Sequence, residues 1–150
     1  MSYNGHDKYL EGRVLSADPI ELVGLLYVGC SDAVREARRR LADGDIAGRS
    51  REITRAYDIL AELASSLDRD RGGEISRRLA ALYDYMLSRL IEANVEQADA
   101  PLAEVLSLLA TLAEAWDGVQ AQTARPPEVE YAWPPRRDTQ EPTMARAWSF

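Results

Sequence analysis

Histidine is almost missing from this chain: His6 is the only one in 150 residues. A single imidazole near the amino terminus can build neither a histidine base nor a His-containing metal set within one chain. Cysteine is as scarce. Cys30 alone closes no intramolecular disulfide, which fits a reducing compartment. It sits on an apolar helical stripe without an activating neighbour, so it reads as a buried structural thiol. No run approaches the ~18 uninterrupted apolar residues of a membrane span, and the amino terminus lacks the basic-then-apolar layout of a secretion signal. An excess of positive charge is missing too. The formal net charge is −7, which disfavours a nucleic-acid surface, because phosphate binding draws on a net positive field. The arginine clusters Arg38, Arg39, Arg40 and Arg49, Arg51, Arg55 are interleaved with Glu36, Asp43, Asp45 and Glu52, the pattern of a solvated helix face. Gly72 and Gly73 precede a helical stretch, but no phosphate-loop lysine or strand accompanies them. Asp84 and Glu92 lack the Glu-x-x-His partner used by carboxylate metal bundles. These absences leave no catalytic set, no cofactor and no metal site. They point to a cytoplasmic protein that is not an enzyme, without nucleic-acid partners or membrane insertion.

What is present is apolar content in helical phase. At 46% hydrophobic residues the chain can bury one core and has little room for a second. Residues 1–17, with Gly5, Gly12 and the sparse anchors Tyr9, Leu10, Val14 and Leu15, read as a mobile amino-terminal arm. Asp18, Pro19 and Glu21 then form a box-like helix start. Leu22, Leu25, Leu26, Cys30, Ala33, Val34, Ala37 and Leu41 follow at helical spacing, and Gly44 supplies the stop. Gly24 and Gly29 weaken that helix, which suggests that something packs close against it. Asp45 caps a second helix carrying Ile46, Ile53, Ala56, Tyr57, Leu60, Leu63, Ala64 and Leu67. Asp68 to Gly73 reads as a polar turn ending in glycine. After the break at Asp99 to Pro101, Leu102, Val105, Leu106, Leu109, Leu112, Ala113, Trp116 and Val119 mark a last helix.

The stretch from Arg71 to Asn94 lies at the centre. As a helix it brings Ile75, Leu79, Leu82, Tyr83, Met86, Leu90 and Ala93 to one side. Leu87 and Ile91 fall roughly 80 to 120° away, so the apolar arc is wider than packing on one partner needs, and the surplus implies a second neighbour or a groove. Tyr85 falls on another side, near Arg78 and Arg89. Four amphipathic helices with short connections predict an all-α, antiparallel four-helix bundle over residues 18–122. Residues 123–150 hold five of the seven prolines, at 126, 127, 134, 135 and 142, and read as a Pro-rich, disordered or partly extended tail. Its Tyr131, Trp133, Trp148 and Phe150 could anchor it to the bundle or to a partner.

Several fragments together resemble a known family. They are Tyr9-x-x-x-x-Val14-Leu15-Ser16-Ala17-Asp18-Pro19-x-Glu21-Leu22, Leu26-Tyr27-x-Gly29, Leu67-Asp68-x-x-x-Gly72-Gly73-Glu74-Ile75, and Leu82-Tyr83-Asp84-Tyr85-Met86-x-x-Arg89-Leu90-x-Glu92-Ala93-Asn94. In this order and spacing they are similar to the FliS family of flagellar secretion chaperones, with Ala115-Trp116 resembling its closing motif. The resemblance runs from about Tyr9 to Gln120. It implies a cytoplasmic chaperone that binds the disordered C-terminal segment of flagellin, prevents premature polymerisation and delivers the subunit to export-apparatus components. No cofactor is implied. Tyr9, Tyr27, Tyr57, Tyr83, Met86, Leu87 and Ile91 are the candidate residues that line or support the flagellin-binding surface. Val28 stands where the family commonly has an acid, which makes that part of the first helix more apolar. The alternative on the same pattern is a helical-bundle adaptor or regulator with a different protein partner.

Overall fold

The computed structural model describes residues 18–124. Four helices follow one another: α1 (Pro19–Ala42), α2 (Ile46–Ser65), α3 (Arg69–Glu96) and α4 (Ala100–Ala124). No strand occurs among the described residues. The all-α expectation holds, with four helices packed together. The expected arm (1–17), the tail beyond residue 124 and the candidate Tyr9 lie outside the described residues.

The helix starts follow from short acidic side chains. Asp18 Oδ1 accepts the Glu21 backbone N–H at 2.7 Å, and Pro19 occupies the first turn, where a missing N–H costs nothing. Asp45 Oδ1 accepts from the Gly48 backbone at 2.9 Å and its Oδ2 accepts from Arg40 at 2.8 Å. Those two bonds, the backbone one foremost, hold the Asp45 carboxyl below its ordinary value. Asp68 Oδ1 accepts from the Arg71 backbone at 3.0 Å. Each such cap contributes about 1 kcal/mol.

The expected polar turn over 68–73 needs correction. Helix α3 already begins at Arg69, and Gly73, at φ 58° and ψ −134°, interrupts it after one turn. Ser76 Oγ bridges the break by donating to the Asp68 carbonyl at 3.0 Å. Gly72 makes room for that bridge, since a Cβ there would overlap Ser76 Oγ and lie 2.6 Å from Ser76 Cβ.

The core takes Tyr27, Cys30, Ala33, Val34 and Ala37 from α1, and Ile53, Ala56, Leu60 and Leu63 from α2. Tyr83, Met86, Leu90 and Ala93 of α3 and Leu102, Val105 and Leu109 of α4 complete it. Ile75 was expected inside but is 72% exposed. The buried line of α3 runs through Ser76, Ala80, Tyr83, Met86, Leu90 and Ala93, and Ile75 stands about 100° from Ser76 on the helix. Ile46, also expected inside, is in phase with Ile53 but is exposed at the first position of α2. Phase puts a residue on a face; burial also needs a neighbour there.

Cross-helix bonds fix the directions of the helices. Cys30 Sγ meets the Ala56 carbonyl at 3.6 Å while Arg40 reaches Asp45, so α1 and α2 run oppositely. Trp116 Nε1 donates to the Ile20 carbonyl at 2.8 Å, and Arg38 makes a two-pronged bond to Asp99 at 2.7 and 2.9 Å. Helix α4 therefore runs opposite to α1. The chain divides into two compact units after Trp116. Of the second, the described part is 117–124, the end of α4, where Asp117 and Gly118 are exposed.

Candidate functional site

Between α2 and α3 lies a groove of about 160 Å³ lined by Ile53, Thr54, Tyr57, Ile91, Asn94 and Val95. Positions i, i+1 and i+4 of α2 face i, i+3 and i+4 of α3, so each helix offers adjoining rows of its surface. Ile53 is buried at the base, whereas Ile91 is 50% and Val95 74% exposed. Leu87, one turn before Ile91, is half-buried against the core. Leu87 and Ile91, the surplus apolar arc of the sequence reading, are thus joined by Val95 in one i, i+4, i+8 stripe on α3. A volume of this size is below the ~300 Å³ at which small-molecule pockets begin, and suits an inserted side chain or two.

Asn94, on the polar side of the groove, is held from behind by Arg49, which corrects the expectation of a solvated arginine face at that position. Arg49 is only 4% exposed. Its Nε and Nη2 donate to Asn94 Oδ1 at 3.3 and 3.2 Å, Nη2 also reaches the Asn94 carbonyl at 3.4 Å, and Nη1 reaches Gln97 Oε1 at 3.4 Å. Ser50 Oγ adds a bond to Asn94 Oδ1 at 3.0 Å. No carboxylate pairs with Arg49 among the described residues. Its charge instead meets the carbonyl end of α3, where the helix dipole is negative and Gln97 turns left-handed at φ 53°. Arg39, Arg40 and Arg55 behave as expected: Arg39 and Arg40 pair with Glu36, and Arg55 with Glu52.

Beneath the surface, Tyr27 and Tyr83 meet hydroxyl to hydroxyl at 2.6 Å. Both are 2% exposed, and burial raises both phenol pKa values above their ordinary range. The Trp116 ring stands edge-on to Tyr27, with centroids 6.4 Å apart and an interplanar angle of 80°. Met86 is fully buried.

The candidate residues therefore fall into two groups. Tyr57 and Ile91 come together in the groove with Leu87 beside them, while Tyr27, Tyr83 and Met86 lie in the core. Sequence reading missed Thr54, Asn94 and Val95 as lining residues, and Ile53 as anything but core. Val95 carried a usable signal, being four residues beyond Ile91 on the same stripe. Tyr85 is 44% exposed among charges on the side expected for it: its hydroxyl donates to Glu104 at 2.6 Å beside Arg89, while Arg78 pairs with Glu74. The Tyr85 bond, followed by that from Arg89, lowers the Glu104 pKa.

Cys30 is sealed in the core, and burial pushes its thiol up to about 12, so it is no nucleophile near neutral pH. Among the described residues no group of three His, Cys, Asp or Glu could hold a metal ion, and no helix is long and apolar enough to cross a membrane.

Comparison with known proteins agrees with the motif reading. The model of the family described as flagellar protein FliS matches residues 2–123. The chain is similar to the flagellar secretion chaperone FliS of Salmonella typhimurium, at 35% identity over 116 residues, covering 77% of this chain and 86% of that protein. It is 36% identical over 110 residues to the flagellar secretion chaperone FliSB of Pseudomonas aeruginosa, covering 73% and 87% of the two chains. With FliS of Bacillus subtilis the figures are 33% over 113 residues, 75% and 84%.

Proposed function

Because the chain belongs to the FliS family of flagellar proteins, we propose that it is a cytoplasmic flagellar secretion chaperone whose client is the disordered C-terminal segment of flagellin. The observation that carries this reading is the α2–α3 groove with Ile91 and Val95 exposed along it. A long unfolded chain can insert apolar side chains into such grooves and cover a large area, ordering only on binding. Holding that segment keeps flagellin from polymerising before export, and delivery to export-apparatus components follows. No catalytic step is part of this reading.

Within it, Leu87, Ile91 and Tyr57 contact the client, while Tyr27, Tyr83 and Met86 support the surface from below. Tyr9 contributes from the arm. The chaperone domain is 18–122, with 1–17 as arm and 123–150 as tail. Pull-down of full-length flagellin, against flagellin lacking its C-terminal segment, tests the reading. Capture of the first and loss of the second is the expected outcome. Equal capture of both, or capture of neither, would favour an adaptor with another partner.

A further inference from the structure

Asn94 has a divided role in the groove. Its carbonyl oxygen is committed to Arg49 and Ser50, and that orientation is forced, because a guanidinium can only donate. The amide nitrogen is left over. It donates to nothing among the described residues, yet Asn94 lines the groove. The Thr54 and Tyr57 hydroxyls nearby make no hydrogen bond to the described residues either. Every lining residue is formally neutral. An ammonium entering the groove would lose water and meet the positive charge of Arg49 behind Asn94, and a carboxylate would lose water without reaching that guanidinium, which is 4% exposed, whereas a peptide carbonyl brings a dipole that matches an N–H donor. Arg49, behind Oδ1, polarises the amide and strengthens that donor.

Building on the flagellin reading above, we infer that Asn94 determines client recognition by donating its side-chain N–H to a main-chain carbonyl of the flagellin C-terminal segment. Carbonyls inside a helix are already used by the helix itself. The stretch of client crossing Asn94 is therefore extended, with its side chains seated against Ile53, Ile91 and Val95.

Asn94→Asp separates this role from a structural one. The variant keeps the side chain's volume and the oxygen facing Arg49, and it adds an ion pair there, but it replaces the N–H donor by an acceptor. Titration calorimetry with a synthetic peptide of the flagellin C-terminal segment provides the affinity, and the full-length protein's Tm provides the fold control. The expected result is unchanged or raised Tm with affinity lower by about tenfold or more, the consequence of leaving a buried carbonyl unpaired. NMR of the wild-type protein should show the Asn94 side-chain amide moving downfield when the peptide saturates. If wild type fails to bind the peptide, the flagellin reading itself falls. If wild type binds and Asn94→Asp stays within about threefold, the role assigned to Asn94 is overturned. Should the variant lose stability, the wild-type amide decides: a downfield shift supports the assignment and a stationary signal overturns it.

Discussion

Replacing Tyr83 by Phe should cost more stability than replacing Tyr27 and Tyr83 together. The two hydroxyls lie 2.6 Å apart, both on side chains that are 2% exposed. One donates and the other accepts, so removing either leaves the survivor buried without its partner. That penalty is about 1–3 kcal/mol, while removing both polar groups at constant shape is close to neutral. With singles near 2 kcal/mol, a double variant below about 1 kcal/mol would give a coupling of about 3 kcal/mol, well outside additive behaviour. Urea unfolding followed by circular dichroism, read as midpoint shifts at constant slope, measures this. Fluorescence is less suitable, because Trp133 and Trp148 report alongside Trp116. Alkaline pH supplies a second axis. Both phenols are raised above 10.0 in the fold, so the neutral native form keeps its full stability below about pH 10. Above it the unfolded chain sheds protons that the native chain retains. Stability then falls by about 1.4 kcal/mol per pH unit for each tyrosine, until the folded pKa is reached. The double Phe variant should lose both of these contributions to the slope. A double variant as unstable as the sum of the singles, with an unchanged alkaline slope, would refute the reasoning.

Four further outcomes follow from the same geometry. Ile91→Asn should weaken capture of flagellin by tenfold or more while moving Tm by under ~3 °C, since a half-exposed side chain has little burial to lose; equal losses in binding and stability would place it in the core. Gly29→Ala should stabilise by about 1 kcal/mol in urea unfolding, because a Cβ there meets Ile59 Cδ1 at 3.6 Å, an ordinary contact, and the helix gains propensity. Gly72→Ala should destabilise by about 1–3 kcal/mol by forcing Ser76 off the Asp68 carbonyl, and adding Ser76→Ala should restore part of that loss. Cys30 should resist a thiol reagent in the native protein at pH 8 and react at the rate of opening once urea is added, which a time course of labelling would show.

How far the sequence reveals this molecule depends on which physical quantity sets each feature. Helix starts are local, and Asp18 and Asp45 were legible because a short carboxylate three residues before an orphan N–H needs no distant partner. The core of α3 from Tyr83 to Ala93 was legible by period alone. Its first turns were not, since Ser76 looks polar until the break at Gly73 brings the Asp68 carbonyl within 3.0 Å of its hydroxyl. A buried serine and an exposed Ile75 are then two sides of one local event. The paired glycines were read as turn-forming residues, yet they act separately: Gly73 takes a positive φ, and Gly72 clears space for a side chain four residues on. At the groove, the apolar half was visible as an arc too wide for one partner. Its polar half depends on Arg49, forty-five residues before Asn94 in sequence, reaching the end of α3. Charge patterning treats an arginine among acids as solvated, and that inference fails where a helix terminus supplies carbonyl and amide acceptors in place of a carboxylate. Periodicity thus locates the apolar wall of the groove, whereas the orientation of the Asn94 amide on its polar side depends on tertiary contacts between α2 and α3.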